Sequence, residues 1–152
     1  MTMKQLSKIC RQNGISLCYL FGSQKDMGLA RLNGIELNVE DPESDIDFAV
    51  LFSSPPKNSL QTYAKLSVDL GDLVSPFRAD LLFLHEVDHL IQLEAIQGIN
   101  VYAIDNIVKD TYESKVMAFA ADSIHILKQN EIDFFEAVRD GYFEFKYQAH
   151  SG

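Results

Sequence analysis

Carboxylates occur inside two segments of this sequence that otherwise favour buried β-strands. Residues 44–52 alternate apolar side chains with Asp45 and Asp47, and the apolar residues 79–84 contain Asp80. Aspartate is disfavoured in strands and costly to bury unless it is paired or bound to a metal ion. A fold that brings these strands together and uses their acids is therefore the simplest interpretation.

The spacing of the first two acids indicates a specific chemistry. Asp45 and Asp47 share one face of a strand, where their side chains are about 6.5–7 Å apart along the backbone. Both carboxylates can converge on metal ions roughly 3.5–4 Å from each other. Like charges this close raise each other's pKa unless a cation is present, which favours Mg²⁺ or Mn²⁺. The alternative is a solvent-facing strand edge with merely exposed acids, and this segment alone does not decide between the two.

A glycine and a serine follow the first apolar segment. Residues 15–21 predict a buried strand, and Gly22 and Ser23 come directly after it. A corner of this kind can present backbone N–H groups to an anion, although an ordinary turn with a helix N-cap has the same sequence. Residues 24–43 contain scattered glycine, asparagine and proline and predict a surface excursion, with a short extended piece at 35–39.

Apolar periodicity predicts the remaining elements. The predicted helices are residues 3–13, 60–73, 87–97, 110–128 and 131–145, and a short strand is predicted at residues 100–104.

Composition excludes several classes of protein. The formal net charge of −9 repels phosphate polymers, so general binding to DNA or RNA is not expected. No apolar run is long enough to cross a bilayer and the N-terminus lacks a secretory signal, so we expect a cytoplasmic protein without membrane contact. Cys10 and Cys18 have no spacing suited to a disulfide framework or a zinc site.

Three segments together resemble a known family. LFGSQKDMG, PESDIDFAVLF and RADLLFL, within residues 15–104, are similar to the motifs of the minimal nucleotidyltransferase (MNT) family in the DNA polymerase β-like superfamily. The resemblance implies an α/β (α+β) fold, with a mixed β-sheet nucleotidyltransferase core flanked by helices. We expect this core to span residues 1–104 and a C-terminal helical extension to span 105–152, within a single domain.

The resemblance also implies a site. It implies a nucleoside triphosphate substrate, ATP, and Mg²⁺ or Mn²⁺ ions, with Asp45, Asp47 and Asp80 as metal ligands and catalytic acids. The expected nucleotide-binding residues are Gly22, Ser23, Lys25 and Ser44. Asp69 is a rival for the third acid, but it falls in the predicted helix 60–73, whereas Asp80 falls in a strand.

Two departures from the family pattern affect the phosphate-binding end. Gly28 follows Ser23 by five residues where most members have four, and the segment from Gly28 to the second motif is longer than usual. Lys25 and Arg31 are candidates for the positive charge that the family places nearby.

The implied reaction is transfer of a nucleoside monophosphate to a hydroxyl acceptor, and the family commonly pairs with a HEPN-domain toxin. Two alternatives remain open: a non-catalytic protein that binds nucleotide or masks a toxin, and a small-molecule (antibiotic) nucleotidyltransferase. His85, which follows the third-acid strand, is a candidate to line the pocket. Some aromatic and methionine residues of the tail are expected to face a partner or a second copy of the chain: Tyr112, Met117, Phe119, Phe134, Phe135, Tyr142, Phe143 and Phe145.

Overall fold

The structure is a computed structural model that describes residues 2–36 and 44–139. Within these residues, the strands form one four-stranded mixed sheet in the order β3-β2-β1-β4. β2 and β3 are parallel, whereas β1 is antiparallel to both β2 and β4. The predicted mixed sheet is therefore confirmed. The strands are β1 (Ile15–Phe21), β2 (Asp45–Phe52), β3 (Arg78–Phe83) and β4 (Ile99–Ala103).

Helices cover both faces of this sheet. The helices are α1 (Thr2–Gln12), α2 (Lys25–Leu32), α3 (Ser59–Val74), α4 (His89–Ile96) and α5 (Asn106–Arg139), with a 3₁₀ turn at Leu84–Glu86. Among the described residues, none of these helices combines the length and the apolar character required to span a lipid bilayer.

Alternation along β2 separates two cores. Ile46, Phe48 and Val50 are fully buried on one face, in a cluster with apolar residues of α1, α2 and α3. Ala49 points to the other face, where it packs with Tyr19 beneath α4 and α5. Because side chains alternate across a strand, Asp45 and Asp47 lie on this second face, at the start of β2.

The irregular excursion predicted for residues 24–43 is wrong in its first half. Residues 25–32 form α2, and Gly28 is buried within it. A Cβ atom at Gly28 would lie only 2.7 Å from Cγ2 of Ile46, so the glycine permits a close approach of helix and sheet. Ile35 is not in a strand, and residues 37–43 lie outside the described residues.

This contact predicts opposite effects for the same substitution in two helices. Gly28→Ala is expected to destabilise the protein by about 1–3 kcal/mol because the methyl group overpacks the contact with Ile46. Gly71→Ala in α3 has nothing within 4 Å of the new methyl group, so it should stabilise the protein by about 0.5–1 kcal/mol through helix propensity. Urea unfolding of both variants measures the difference, and equal effects would contradict this packing.

The C-terminal prediction of two helices is also wrong. α5 continues from residue 106 to residue 139 without the break expected near residue 129. Tyr112 packs inward, and its hydroxyl donates to Oε1 of Gln92 at 3.2 Å. Met117 and Phe119 are exposed, as expected for some of the tail residues. The side chains of Phe134 and Phe135 and residues 140–152 lie outside the description, and the division of the chain at residue 104 remains a prediction.

Candidate active site

Strand pairing places the predicted acids in one patch. In the parallel register of β2 and β3, Asp47 lies beside Asp80 and Asp45 lies beside Arg78. Alternate residues share a face of the sheet, so all four side chains start from the same face. We call these four residues the acid patch.

Asp47 is partly buried and has other acidic side chains around it. Partial burial, followed by the charges of Asp80 and Asp45, raises the pKa of Asp47 to about 6. Glu94, on α4, contributes in the same direction. Asp45 itself forms an ion pair with Arg78, whose Nε lies 3.3 Å from a carboxylate oxygen. The patch therefore carries more negative charge than its own cation balances, which is the environment that a metal ion relieves.

Gly22 meets the acid patch at the end of β1. Its neighbour Phe21 pairs with Asp47, and Gly22 itself has a φ of +78°, a left-handed conformation that favours glycine. A Cβ atom at Gly22 would overlap the Asp47 carboxylate. The glycine-serine corner and the acids, predicted from separate segments, are thus brought into direct contact.

The helix that follows this corner begins without a side-chain cap. Gln24 is the N-cap residue of α2 and makes no capping hydrogen bond, and Lys25 is the first helical residue. The first N–H groups of a helix lack intrahelical acceptors, so the start of α2 can donate to an anion. Ser23 is exposed beside it, and Ser44 directly precedes β2.

Three other candidates lie away from the patch. Asp69 is on α3, so it does not share the sheet face of Asp47. Arg31 is in the last turn of α2, where its Nη1 donates to the carbonyl oxygen of Ile35 at 3.0 Å, at the opposite end of the helix from Lys25. His85 follows the C-terminal end of β3, whereas Asp80 lies near the start of that strand, and its ring stacks on Phe83, so its place beside the pocket remains a prediction.

The chemistry of the patch fits a divalent cation. Hard cations such as Mg²⁺ and Mn²⁺ prefer carboxylate oxygens, and the strand register places the Asp47 carboxylate beside that of Asp80. Within residues 2–36 and 44–139, no three His, Cys, Asp or Glu side chains already converge as a metal cluster. The role of Asp45, Asp47 and Asp80 as ligands therefore remains a prediction.

Sequence reasoning missed Arg78 and Glu94. Arg78 precedes Asp80 by two residues in a strand, and this spacing was a signal that both share a face. Its position beside Asp45 depends on the strand register, which the sequence does not give. Glu94 approaches the patch only because α4 packs over the sheet.

Comparison with known proteins identifies the family. A family model described as polymerase beta, nucleotidyltransferase matches residues 4–107. The chain belongs to this nucleotidyltransferase family, so the predicted superfamily and enzyme class are confirmed. No curated protein matches the sequence significantly.

Solved structures share the fold. The chain is similar to one in the structure of a tri-AMPylated Shewanella oneidensis HEPN toxin in complex with MNT antitoxin, with 19% identity over 90% of this chain and 97% of that chain and a TM-score of 0.60. A toxin–antitoxin structure with AMP-PNP gives 20% identity, 90% and 100% coverage and a TM-score of 0.61. A MntA-HpeT toxin–antitoxin mutant with two Asp-to-Glu substitutions gives 19% identity, the same coverage and a TM-score of 0.62.

Proposed function

We propose that this chain transfers AMP from ATP to a hydroxyl acceptor, as the MNT antitoxin partner of a HEPN-domain protein. The observation that carries the proposal is the contact between Gly22, at a phosphate-binding corner, and Asp47, which lies beside Asp80. A nucleotide held at this corner has its phosphates directly next to the acids, as nucleotidyl transfer requires.

The chain binds the triphosphate at the β1–α2 corner. The free N–H groups at the start of α2, the Ser23 hydroxyl and the Lys25 ammonium group hold the β- and γ-phosphates. Gly22 lets the backbone approach closely because it has no side chain.

Asp45, Asp47 and Asp80 are the residues that would hold Mg²⁺ or Mn²⁺, with Ser44 at the base of β2. When bound, the metal ions supply positive charge to the α-phosphate and the leaving pyrophosphate.

The sheet order separates the two substrates. β2 lies between β1, which leads to the nucleotide corner, and β3, which carries Asp80. In-line displacement needs the attacking hydroxyl opposite the leaving group, so the acceptor approaches from the β3 side. Asp80 accepts the hydroxyl proton, a bond forms from the acceptor oxygen to the α-phosphorus, and the bond to pyrophosphate breaks.

The partner is inferred from the similar structures. One contains an AMPylated HEPN toxin in complex with an MNT antitoxin, and another contains AMP-PNP. By analogy, the acceptor of this chain is a hydroxyl group on its HEPN partner. Exposed apolar residues on α5, including Ile107, Met117 and Phe119, are available for such a contact. We place the pair in the cytoplasm, where ATP and Mg²⁺ are both present.

The choice of radiolabel distinguishes this reaction from phosphate transfer. We expect a HEPN-domain partner to become labelled by the wild type with [α-³²P]ATP and Mg²⁺, and to stay unlabelled with [γ-³²P]ATP. Pyrophosphate should appear in proportion to the label. Labelling from the γ-position would mean a kinase reaction, and labelling from neither would favour a protein that only masks its partner.

A further inference from the structure

A cation that the sequence pattern did not reveal lies inside the acid patch. Arg78 is beside Asp45 in the parallel register, and its Nε contacts the Asp45 carboxylate at 3.3 Å. Arg78 and Asp80 are two residues apart, so the guanidinium group starts from the same sheet face as all three acids. Arg78 thus forms an ion pair with Asp45, a carboxylate that the proposed function assigns to a metal ion.

We propose that Arg78 is a phosphate-binding residue, held on Asp45 in the metal-free chain and transferred to the α-phosphate of the nucleotide when Asp45 takes up its metal ion. This inference rests on the proposed function. The Arg78 side chain would compete with the metal ion for Asp45, and it would also contact the nucleotide.

The ion pair is weak enough for this exchange. The side chains of Arg78 and Asp45 are 72% and 45% exposed, and ion pairs in such positions contribute about 0.2–1 kcal/mol. Asp45, Asp47 and Asp80 would together hold a doubly charged ion, whose attraction to Asp45 would exceed a contact of this strength. The pair therefore neutralises part of the negative charge of the acid patch and is weak enough to exchange.

The position of Arg78 selects the phosphate that it contacts. The start of α2 and Lys25 follow β1, whereas Arg78 is on β3, on the other side of β2. The β- and γ-phosphates are therefore held at one flank of the patch, and Arg78 stands at the flank where the acceptor arrives. The planar guanidinium group pairs well with phosphate oxygens, and in the transition state these oxygens carry the developing charge.

Arg78→Gln removes the charge and is expected to have opposite effects on two measurements. Mn²⁺ binding, followed by the electron paramagnetic resonance signal of the free ion, should tighten about two- to fivefold because Asp45 loses its competitor. The kcat for AMP transfer should fall about 10²–10³-fold, the usual effect of removing one preorganised transition-state donor. The KM for ATP should change less, because the α2 corner is intact. Arg78→Lys should restore part of the rate.

Arg11→Gln is the matched control. Arg11 is exposed near Gly14, at the opposite end of β1 from Gly22, and its loss changes the net charge by the same amount. It should leave both Mn²⁺ binding and kcat close to wild type.

The proposal is overturned if Arg78→Gln binds Mn²⁺ no more tightly than Arg11→Gln, or if its kcat equals that of the wild type. These outcomes differ from failure of the proposed function. In that case the wild type itself transfers no AMP, while the Mn²⁺ titration still decides whether Arg78 competes for Asp45.

Discussion

Gly22→Ala is expected to abolish AMP transfer in a protein that still folds. The added methyl group would overlap the Asp47 carboxylate, so Asp47 must leave its present position between Gly22 and Asp80. Displacement of a catalytic group by about 1 Å costs about 10²-fold in rate, and we expect a loss of at least that size. The left-handed φ of +78° adds a strain of roughly 1–2 kcal/mol, so the unfolding temperature should also fall.

Gly34→Ala separates these two causes. Gly34 has nearly the same φ, +79°, but a Cβ atom there has nothing within 4 Å. This variant should show a similar loss of stability, measured by urea unfolding, with a kcat close to wild type. If both variants lose activity equally, backbone strain rather than the contact with Asp47 explains the result.

Asp47→Asn is expected to eliminate transfer and to stabilise the metal-free protein. The substitution removes the negative charge that lies beside Asp80 and near Asp45, and whose unfavourable environment raises the pKa of Asp47 to about 6. Solvent screens this partly exposed group, so we expect a gain of about 1 kcal/mol or less. Thermal unfolding in EDTA measures the gain, and Asp69→Asn on α3 is the control that should keep full activity.

The raised pKa of Asp47 also makes the stability of the folded protein depend on pH. The pKa of Asp47 is about 6 in the folded protein and 3.8 as its ordinary value, so the folded state takes up this proton more readily than the unfolded state. The metal-free wild type should therefore gain stability from this group as the pH falls from 7 towards 4, mostly between about 6 and 4. The Asp47→Asn variant should lack this component, and an identical pH profile would contradict the assignment.

Local patterns predicted much of the fold and the composition of the patch. Residues 15–21 are apolar and β-prone, and β1 has the same bounds. The helical periodicity of residues 60–73 matches α3 and removed Asp69 from the third-acid position. Asp80 follows in a strand, and the structure places it beside Asp47. These predictions succeeded because an element that is buried on one face has apolar residues at regular intervals in its sequence.

The remaining features depend on contacts between distant segments. Gly28 suggested a loop, whereas its function in α2 is to allow close contact with Ile46. The pairing of Arg78 with Asp45 follows from a register between strands that are 33 residues apart at these positions. α5 runs without interruption through residues 129 and 130, where the sequence predicted a break. The spacing of apolar residues within one segment does not predict its contacts or its register with a distant segment.

One comparison tests most directly whether the acid patch performs nucleotidyl transfer. The wild type and the Asp45→Ala plus Asp47→Ala double variant are incubated with [α-³²P]ATP, Mg²⁺ and a HEPN-domain partner, after thermal unfolding has shown that both are folded. We predict that the wild type labels the partner and that the double variant leaves it unlabelled. Equal labelling by both proteins would contradict the assignment of catalysis to these acids.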